Sequence, residues 1–450
     1  MFTTIKNAFK IPDLRRRLFF TIFMLIVFRF GAHIPVPYLS SDAMKQFLDP
    51  TGTGNGFADL FSLFDVFTGG AFSSATVMAL GVSPYINSSI IVQLLTVAIP
   101  ALERLAKEGY EGRKKINKIT RYLGIVLAFV QGAGLYVTLW NMGVANGDTT
   151  SVITRPDVLG FFVITLTFTA GTAFIVWLGE IITEKGLGNG VSLIIFAGIV
   201  SRIPAGIVTV YNQFLADNIT IKGVLISAVI LIAAILAITF VVLFDSAERK
   251  IPVQYAKRVV GRKMYGGQST NIPIKVVMAG VMPIIFASSI MAFPATIVRL
   301  ATGGNLPTAG FGYWILGCLS AGYGPGWTDI VYSAIYFLLI IFFTYFYTSI
   351  QFNPIEIANN MKKSGGYIPG YRPGKPTSDF IAKVANRLNL AGAIFLGIIA
   401  ILPIIFGTIF GMSHMQIGGT SLLIMEGVAL ETVRQIESQM TMRHYKGFLD

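Results

Sequence analysis

The chain is poor in charge and almost without cysteine. Charged residues make up 13% of its 450 positions, whereas about a quarter is usual in soluble domains. The single cysteine, Cys318, excludes a disulfide within the chain. The three histidines, His33, His414 and His444, have no metal-ligand spacing. No Ser/His/Asp or Cys/His arrangement is visible, so the sequence predicts neither an enzyme nor a cofactor or metal site.

Long apolar runs dominate what is present. Hydrophobic residues account for 54% of the chain and the mean hydropathy is +0.68, which indicate a polytopic membrane protein. Ten runs have the character of membrane spans: Leu18–Ile34, Ala75–Ile99, Tyr122–Leu139, Val158–Leu178, Gly190–Val200 with its flanks, Val224–Phe244, Ile274–Ile297, Ile330–Phe352, Leu390–Phe406 and Gly418–Thr432. Two shorter apolar pieces, 58–67 and 311–319, are predicted not to cross, and the structure of 311–319 stays open.

Basic residues alternate between the connections. All but six of the 35 lysines and arginines lie in the two termini and in every second connection, which face one side of the membrane. The other side has Lys45, Arg155, Arg202, Lys222 and Arg299, and Arg29 lies within span one. Because basic connections stay cytoplasmic, both termini are predicted inside. Five spans on each side of residue 217 then give two inverted halves, 1–217 and 218–450, with a site at their interface.

The stretch 57–95 is too long for one span. Its first part carries Asp59 and Asp65 and does not cross, Gly69-Gly70 break the run, and a crossing helix from Ala75 to Ile99 follows. Non-crossing backbone at membrane depth is tolerated only inside protein or beside a water-filled cavity. The sequence therefore predicts a cavity with a segment folded into it.

The spans contain few charges, which argues against an ion-coupled transporter. Arg29, near the end of span one, can snorkel to the headgroups or pair with a neighbouring carbonyl. The long basic connections 245–275 and 353–387 are predicted to dock a large partner. The alternative is that they are only a solvated orientation signal.

Several long motifs make the chain resemble the SecY/Sec61-alpha family, the central subunits of Sec protein translocation channels. The motifs include FRFGAHIPVP (28–37), MALGVSPYINSSIIVQLL (78–95), WLGEIITEKGLGNGVSLIIFAGIV (177–200), IPVQYAKRVVGRKMYGGQSTNIPIKV (251–276) and FNPIEIANNMKKSGGYIPGYRPGKPT (352–377). The resemblance covers nearly the whole chain. It implies an all-α fold of ten transmembrane helices in two inverted five-helix halves around an hourglass pore, with a short plug helix.

The resemblance also implies roles for particular residues. A ring of apolar side chains would close the pore: Val82, Ile86, Val191, Ile195, Ile285 and Ile424. Ordinary helix packing is the alternative role for each. Val82 and Val191 stand where isoleucine is common in the family. Segment 57–72 would be a movable plug, with Phe61, Phe64, Phe67, Gly69 and Gly70. Stiffening Gly69-Gly70 is expected to hold the channel shut.

Two further groups follow from the resemblance. A lateral gate toward lipid, between spans two and three and spans seven and eight, would use Asn87, Gln93, Gln131, Ser288 and Ser289. Hydrogen bonds between helices without gating are the alternative. Docking of a SecA motor ATPase or the ribosome would use Lys257, Arg258, Arg262, Lys263 and Arg372. Glu426 departs from the apolar family pattern, and we hypothesise that it faces a water-filled funnel or a partner subunit.

The implied function is a passive channel in the bacterial plasma membrane. It would pass unfolded secretory polypeptides that carry signal sequences and release transmembrane segments into lipid, powered by SecA or the translating ribosome. SecE-like and SecG-like membrane subunits are the expected partners. A secondary transporter of small solutes and a membrane insertase without a transverse pore are the alternatives.

Overall fold

The computed structural model describes residues 8–47, 65, 68–145, 152–214, 221–255, 258–260, 263–265, 269–302, 311–319, 326–410 and 419–446. In chain order the helices are α1 (Pro12–Gly31), α2 (Ser41–Phe47), α3 (Ser83–Ala98), α4 (Pro100–Lys107), α5 (Tyr110–Ala145), α6 (Val158–Lys185), α7 (Gly190–Phe214), α8 (Ile221–Ser246), α9 (Met282–Thr302), α10 (Phe311–Leu319), α11 (Gly326–Gln351), α12 (Pro354–Lys363), α13 (Lys375–Phe410) and α14 (Gly419–Lys446). The strands are β1 (Glu248–Tyr255), β2 (Arg258–Val260), β3 (Lys263–Tyr265), β4 (Ser269–Lys275) and β5 (Gly366–Tyr367).

The mostly helical fold is confirmed, and each predicted span overlaps one helix. Within the described residues, 6 helical segments are long and apolar enough to cross a membrane, in α5, α6, α7, α8, α11–α12 and α13. A seventh is possible if the pair α3–α4, bent by 101°, counts as one span. The count of ten crossings stays a prediction. Segment 311–319, left open by the sequence, is helix α10.

Several helices extend beyond the predicted apolar runs. Helix α5 begins at Tyr110 rather than near Tyr122, and α13 begins at Lys375 rather than near Leu390. The added turns carry several lysines and arginines, which favour helix but oppose burial in lipid. Hydropathy therefore located the membrane part of each helix but missed the polar extension.

The residues pack as two compact units: Met1–Ser227 with Ser288–Tyr332 and Ile404–Asp450, and Ala228–Ala287 with Ser333–Pro403. These units reflect packing and do not test the predicted division at residue 217, which stays a prediction. In the first unit, three extended pieces of chain form a small layer, because Pro35 pairs with Thr76 and Leu39 pairs with Ile153. A buried apolar cluster that includes Phe72, Ala75 and Phe168 joins this layer to the helices.

The second unit contains strands that the sequence analysis did not predict. Strand β1 pairs antiparallel with β4 and with β5, in the order β4-β1-β5, and β2 pairs with β3. One face of the larger sheet is apolar: Ile251, Val253 and Ile274 are buried with Met361, Ile368 and Ile381. The connections 245–275 and 353–387, predicted as separate loops, are therefore folded together by the β1–β5 pair.

Candidate functional site

Residues 68–82 form a buried segment without regular helix. The predicted helix over 75–99 begins only at Ser83, so its first part was wrong. The physical reason lies in Gly81, whose φ of +55° ends any helical path, and in Pro84, which suits the first turn of a new helix. Gly69 and Gly70, with φ of +66° and +89°, form the predicted break.

The helices approach this segment closely at glycines. A Cβ on Gly171 of α6 would overlap the carbonyl of Val77, and a Cβ on Gly31 at the end of α1 would overlap the side chain of Met78. Ala75 is fully buried and Val82 is 6% exposed. The non-helical segment is thus enclosed by protein, the setting in which such backbone is tolerated at membrane depth.

Two arginines contact the break at Gly69-Gly70. The guanidinium of Arg29 donates a hydrogen bond to the Gly69 carbonyl at 2.6 Å, which confirms the carbonyl alternative predicted for this arginine. Arg202 forms an ion pair with Asp65 and donates a hydrogen bond to the Ser73 hydroxyl at 3.1 Å. Arg202 lies within α7, which continues beyond the predicted span 190–200, and its place on the outer side stays a prediction. The plug residues Phe61, Phe64 and Phe67 lie outside the described residues.

The candidate ring residues lie on or beside four helices. Val82, Ile195 and Ile424 are buried, and Ile86, Val191 and Ile285 are half-buried. Val82 precedes α3, but its carbonyl accepts the Ile86 N–H at 3.0 Å, so the two share one helical face as expected. Val191 contacts α6 at Gly179, as ordinary helix packing would have it. The ring itself stays a prediction.

The candidate gate residues Asn87, Gln93, Gln131, Ser288 and Ser289 are all half-buried. Gln93 donates a hydrogen bond to Ser89 of its own helix at 3.3 Å. The bond that links α3 to α5 comes instead from Ser88, whose hydroxyl donates to the Thr120 carbonyl at 2.6 Å. The sequence analysis missed Ser88, because no sequence pattern indicates that it lies beside Gly124 of α5; only the packing of the two helices shows this. The gate stays a prediction.

The described docking candidates lie on the two-stranded β2–β3 sheet and on the turn that follows β5. Arg258 is in β2 and Lys263 is in β3, while Lys257 and Arg262 lie outside the described residues. Arg372 is exposed on a turn, and its carbonyl accepts the Thr377 hydroxyl at 2.7 Å. The ring of Tyr371 stacks on Phe380 at 4.2 Å between centroids. These contacts fix the backbone at Arg372 and leave its guanidinium in solvent.

Glu426 and the residues that could bind a metal ion are the remaining candidates for a chemical role. Glu426 of α14 is only 8% exposed within the chain, so it does not face open water there. Within the described residues, no three His, Cys, Asp or Glu side chains are grouped to hold a metal ion.

Comparisons with known proteins agree on one family. The SecY family model matches residues 76–433. The chain is 44% identical to the protein translocase subunit SecY of Mycobacterium tuberculosis over 454 residues, with 100% of both chains covered. It is 43% identical to that of Streptomyces scabiei over 453 residues, again with 100% of both covered.

Solved structures share the fold at lower identity. A structure described as a protein conducting channel aligns with a TM-score of 0.60 and 19% identity, covering 94% of this chain and 92% of that one. Sec61 in the canine ribosome-channel complex aligns with a TM-score of 0.57 and 18% identity over the same shares. Together with the full-length identity to the bacterial proteins, these matches mean that the chain belongs to the SecY family.

Proposed function

We propose that the chain is the channel-forming subunit of a protein translocase. It passes unfolded secretory polypeptides across the bacterial plasma membrane and releases transmembrane segments sideways into lipid. The observation that carries this proposal is the buried, non-helical segment 68–82, which ends at the candidate ring residue Val82. A transporter of small solutes does not require such an enclosed segment. It would also be expected to carry more charged residues within its spans.

Apolar side chains at the ring would let a polypeptide through while blocking ions. A narrow apolar constriction excludes ions because water leaves it, and its side chains can yield around a peptide. Residues 57–72 would cover the ring from the outer side and move away when a precursor enters. The halves 1–217 and 218–450 would separate at the lateral gate to release apolar segments.

The channel has no catalytic role, so its energy comes from a partner. The folded connections 245–275 and 353–387 would dock a SecA motor ATPase or the translating ribosome. One solved relative is described in a ribosome-channel complex. Helix α8 exposes large apolar residues such as Leu225, Ile235 and Leu236, which suits lipid or the helices of SecE-like and SecG-like subunits. Both termini would be cytoplasmic.

Reconstitution tests the proposal. The chain is purified with its natural membrane partners, inserted into lipid vesicles, and supplied with SecA, ATP and a precursor carrying a signal sequence. We expect the precursor to become protected from added protease only when ATP, SecA and the signal sequence are all present. Vesicles lacking the chain, and the precursor without its signal, are the controls.

The outcome separates the proposal from its alternatives. ATP-dependent protection of a secretory precursor is expected only of a transverse channel. An insertase would integrate apolar segments and leave secretory precursors digestible. A secondary transporter would neither protect secretory precursors nor integrate apolar segments, and it would take up a small solute instead. Either of these two results would overturn the proposal.

The docking role of Arg372 can be tested by reversing its charge. Because its backbone is held by Thr377 and its side chain is exposed, Arg372→Glu is expected to fold and insert normally. We expect motor-driven export by this variant to fall at least about tenfold, since a reversed charge at a docking site weakens association with an acidic surface.

Lys185→Glu is the matched control, because it reverses an exposed charge at the end of α6, outside both docking connections. Protected precursor is measured in vesicles that contain equal amounts of each variant. Export by Arg372→Glu as high as that by Lys185→Glu would remove Arg372 from the docking surface.

A further inference from the structure

Asp65 binds the turns at residues 68–73, and we term Asp65 together with residues 68–73 the plug joint. Its carboxylate accepts the Ser73 N–H at 2.8 Å, and its carbonyl accepts the Gly70 N–H at 2.9 Å. The Thr68 hydroxyl accepts the Phe72 N–H at 3.3 Å. The plug joint is therefore held together by its own polar groups, with Asp65 at its centre.

Arg202 ties the plug joint to α7. Its guanidinium pairs with the Asp65 carboxylate and also donates to the Ser73 hydroxyl. The side chain of Asp65 is 4% exposed and that of Arg202 is 17% exposed, so water screens this ion pair weakly. A Cβ on Gly70 would lie 3.2 Å from Cζ of Arg202, so glycine provides the space in which the guanidinium lies.

Arg29 ties the same turn to α1. It donates to the Gly69 carbonyl at 2.6 Å, and the Ser201 hydroxyl reaches that carbonyl at 3.5 Å. Two guanidinium groups thus hold a turn that carries one carboxylate. When a buried ion pair loses one partner, the charge that remains is costly. Any movement of the plug joint away from α7 would leave both Asp65 and Arg202 as unpaired buried charges.

We propose that Arg202 is a positioning residue that latches the plug joint through Asp65, with Arg29 as a second anchor, and so keeps the resting channel sealed. The inference rests on the proposed function, because it assumes that residues 57–72 are the plug. Opening the channel then requires the Asp65–Arg202 pair to separate. The latch raises the threshold for opening without touching the passing polypeptide.

Ion leak through the resting channel tests the latch. The complex with its natural membrane partners is placed in planar bilayers without motor or precursor, and the fraction of time that single channels conduct is measured. We expect Asp65→Asn and Arg202→Gln each to raise this fraction roughly tenfold or more, because each leaves one buried partner of the ion pair unmatched. Arg155→Gln removes an exposed cation that lies over the ring of Tyr38, away from the plug joint, and it should leave the leak unchanged.

The double variant separates a latch from two independent defects. Asp65→Asn with Arg202→Gln leaves no unmatched charge in the pair, so its leak should be no greater than that of the worse single variant. Leak that multiplies in the double variant, or single variants as tight as Arg155→Gln, would overturn the latch. A normal protease-digestion pattern of each variant, with leak still raised, excludes misfolding as the cause.

Failure of the latch and failure of the proposed function give different results. Precursor protection by the unchanged chain, combined with unchanged leak in the variants, overturns the latch and leaves the channel function standing. Absence of precursor protection by the unchanged chain overturns both. We expect the single variants to export precursor at least as fast as the unchanged chain, because the plug leaves more readily.

Discussion

At the scale of single residues, Gly69 combines a left-handed backbone with a close packing contact. Its φ is +66°, and a Cβ there would lie 2.9 Å from the Gly198 Cα of α7. We expect Gly69→Ala to raise the resting ion leak, because the added methyl group pushes the plug joint away from α7. The measurement is the single-channel leak in planar bilayers.

Gly365 is the matched control for this substitution. Its φ is +72°, and nothing lies within 4 Å of a Cβ placed there. Alanine at either position meets the same left-handed strain of about 1–2 kcal/mol, but only alanine at Gly69 meets backbone. A leak that is equally low in both variants would support the opposite expectation from sequence, in which a stiffer Gly69 holds the channel shut.

Some of these residues could be predicted from sequence and others could not. The glycine pair and the carbonyl contact of Arg29 follow from local rules: glycine interrupts an apolar run, and a cation in a span needs an acceptor. The pairing of Asp65 with Arg202 follows no local pattern, because the two residues lie far apart in the chain. Only the fold brings them together.

At the scale of elements, the folded connections depend on the apolar face of strand β1. Ile251 is 3% exposed and lies in the cluster that joins β1 and β4 to α12 and α13. Truncating a buried isoleucine to alanine costs about 2–5 kcal/mol. We expect Ile251→Ala to increase trypsin cleavage between β1 and β4, since proteolysis follows the population of the opened state.

Gln254→Ala is the matched control on the same strand. Its side chain is exposed and accepts a hydrogen bond from the hydroxyl of Tyr367 at 2.9 Å. Cleavage should stay near that of the unchanged chain, since surface bonds of this kind contribute little. If trypsin cuts Ile251→Ala and Gln254→Ala equally slowly, the apolar face does not stabilise the connections.

The strands show why elements were only partly predictable. Ile251, Val253 and Tyr255 alternate with exposed residues, which is the period of a half-buried strand. The signal was therefore present, but a basic stretch between two membrane spans was interpreted as a loop. The start of α3 was missed for another reason: hydropathy does not distinguish a buried non-helical segment from a helix.

At the scale of the whole molecule, the family and the mostly helical fold were predictable because long motifs and apolar runs extend over the entire chain. Orientation rests on a different physical effect, the retention of basic connections on the cytoplasmic side. That effect predicts that the connection before α6 faces outward and that the turn before α13 faces the cytoplasm. Arg155 and Lys375, both exposed, are suitable reporters for the two sides.

The single native cysteine makes this orientation easy to test. In a Cys318→Ser background, one new cysteine is introduced by Arg155→Cys or by Lys375→Cys, and intact cells are treated with a membrane-impermeant maleimide. We expect labelling of the Arg155→Cys chain at once and of the Lys375→Cys chain only after permeabilisation, because a charged reagent does not cross the bilayer. Both substitutions remove one basic residue and leave the charge difference between the sides large. Labelling of Lys375→Cys in intact cells would mean that the basic connections face outward, and no cytoplasmic motor or ribosome could then reach Arg372.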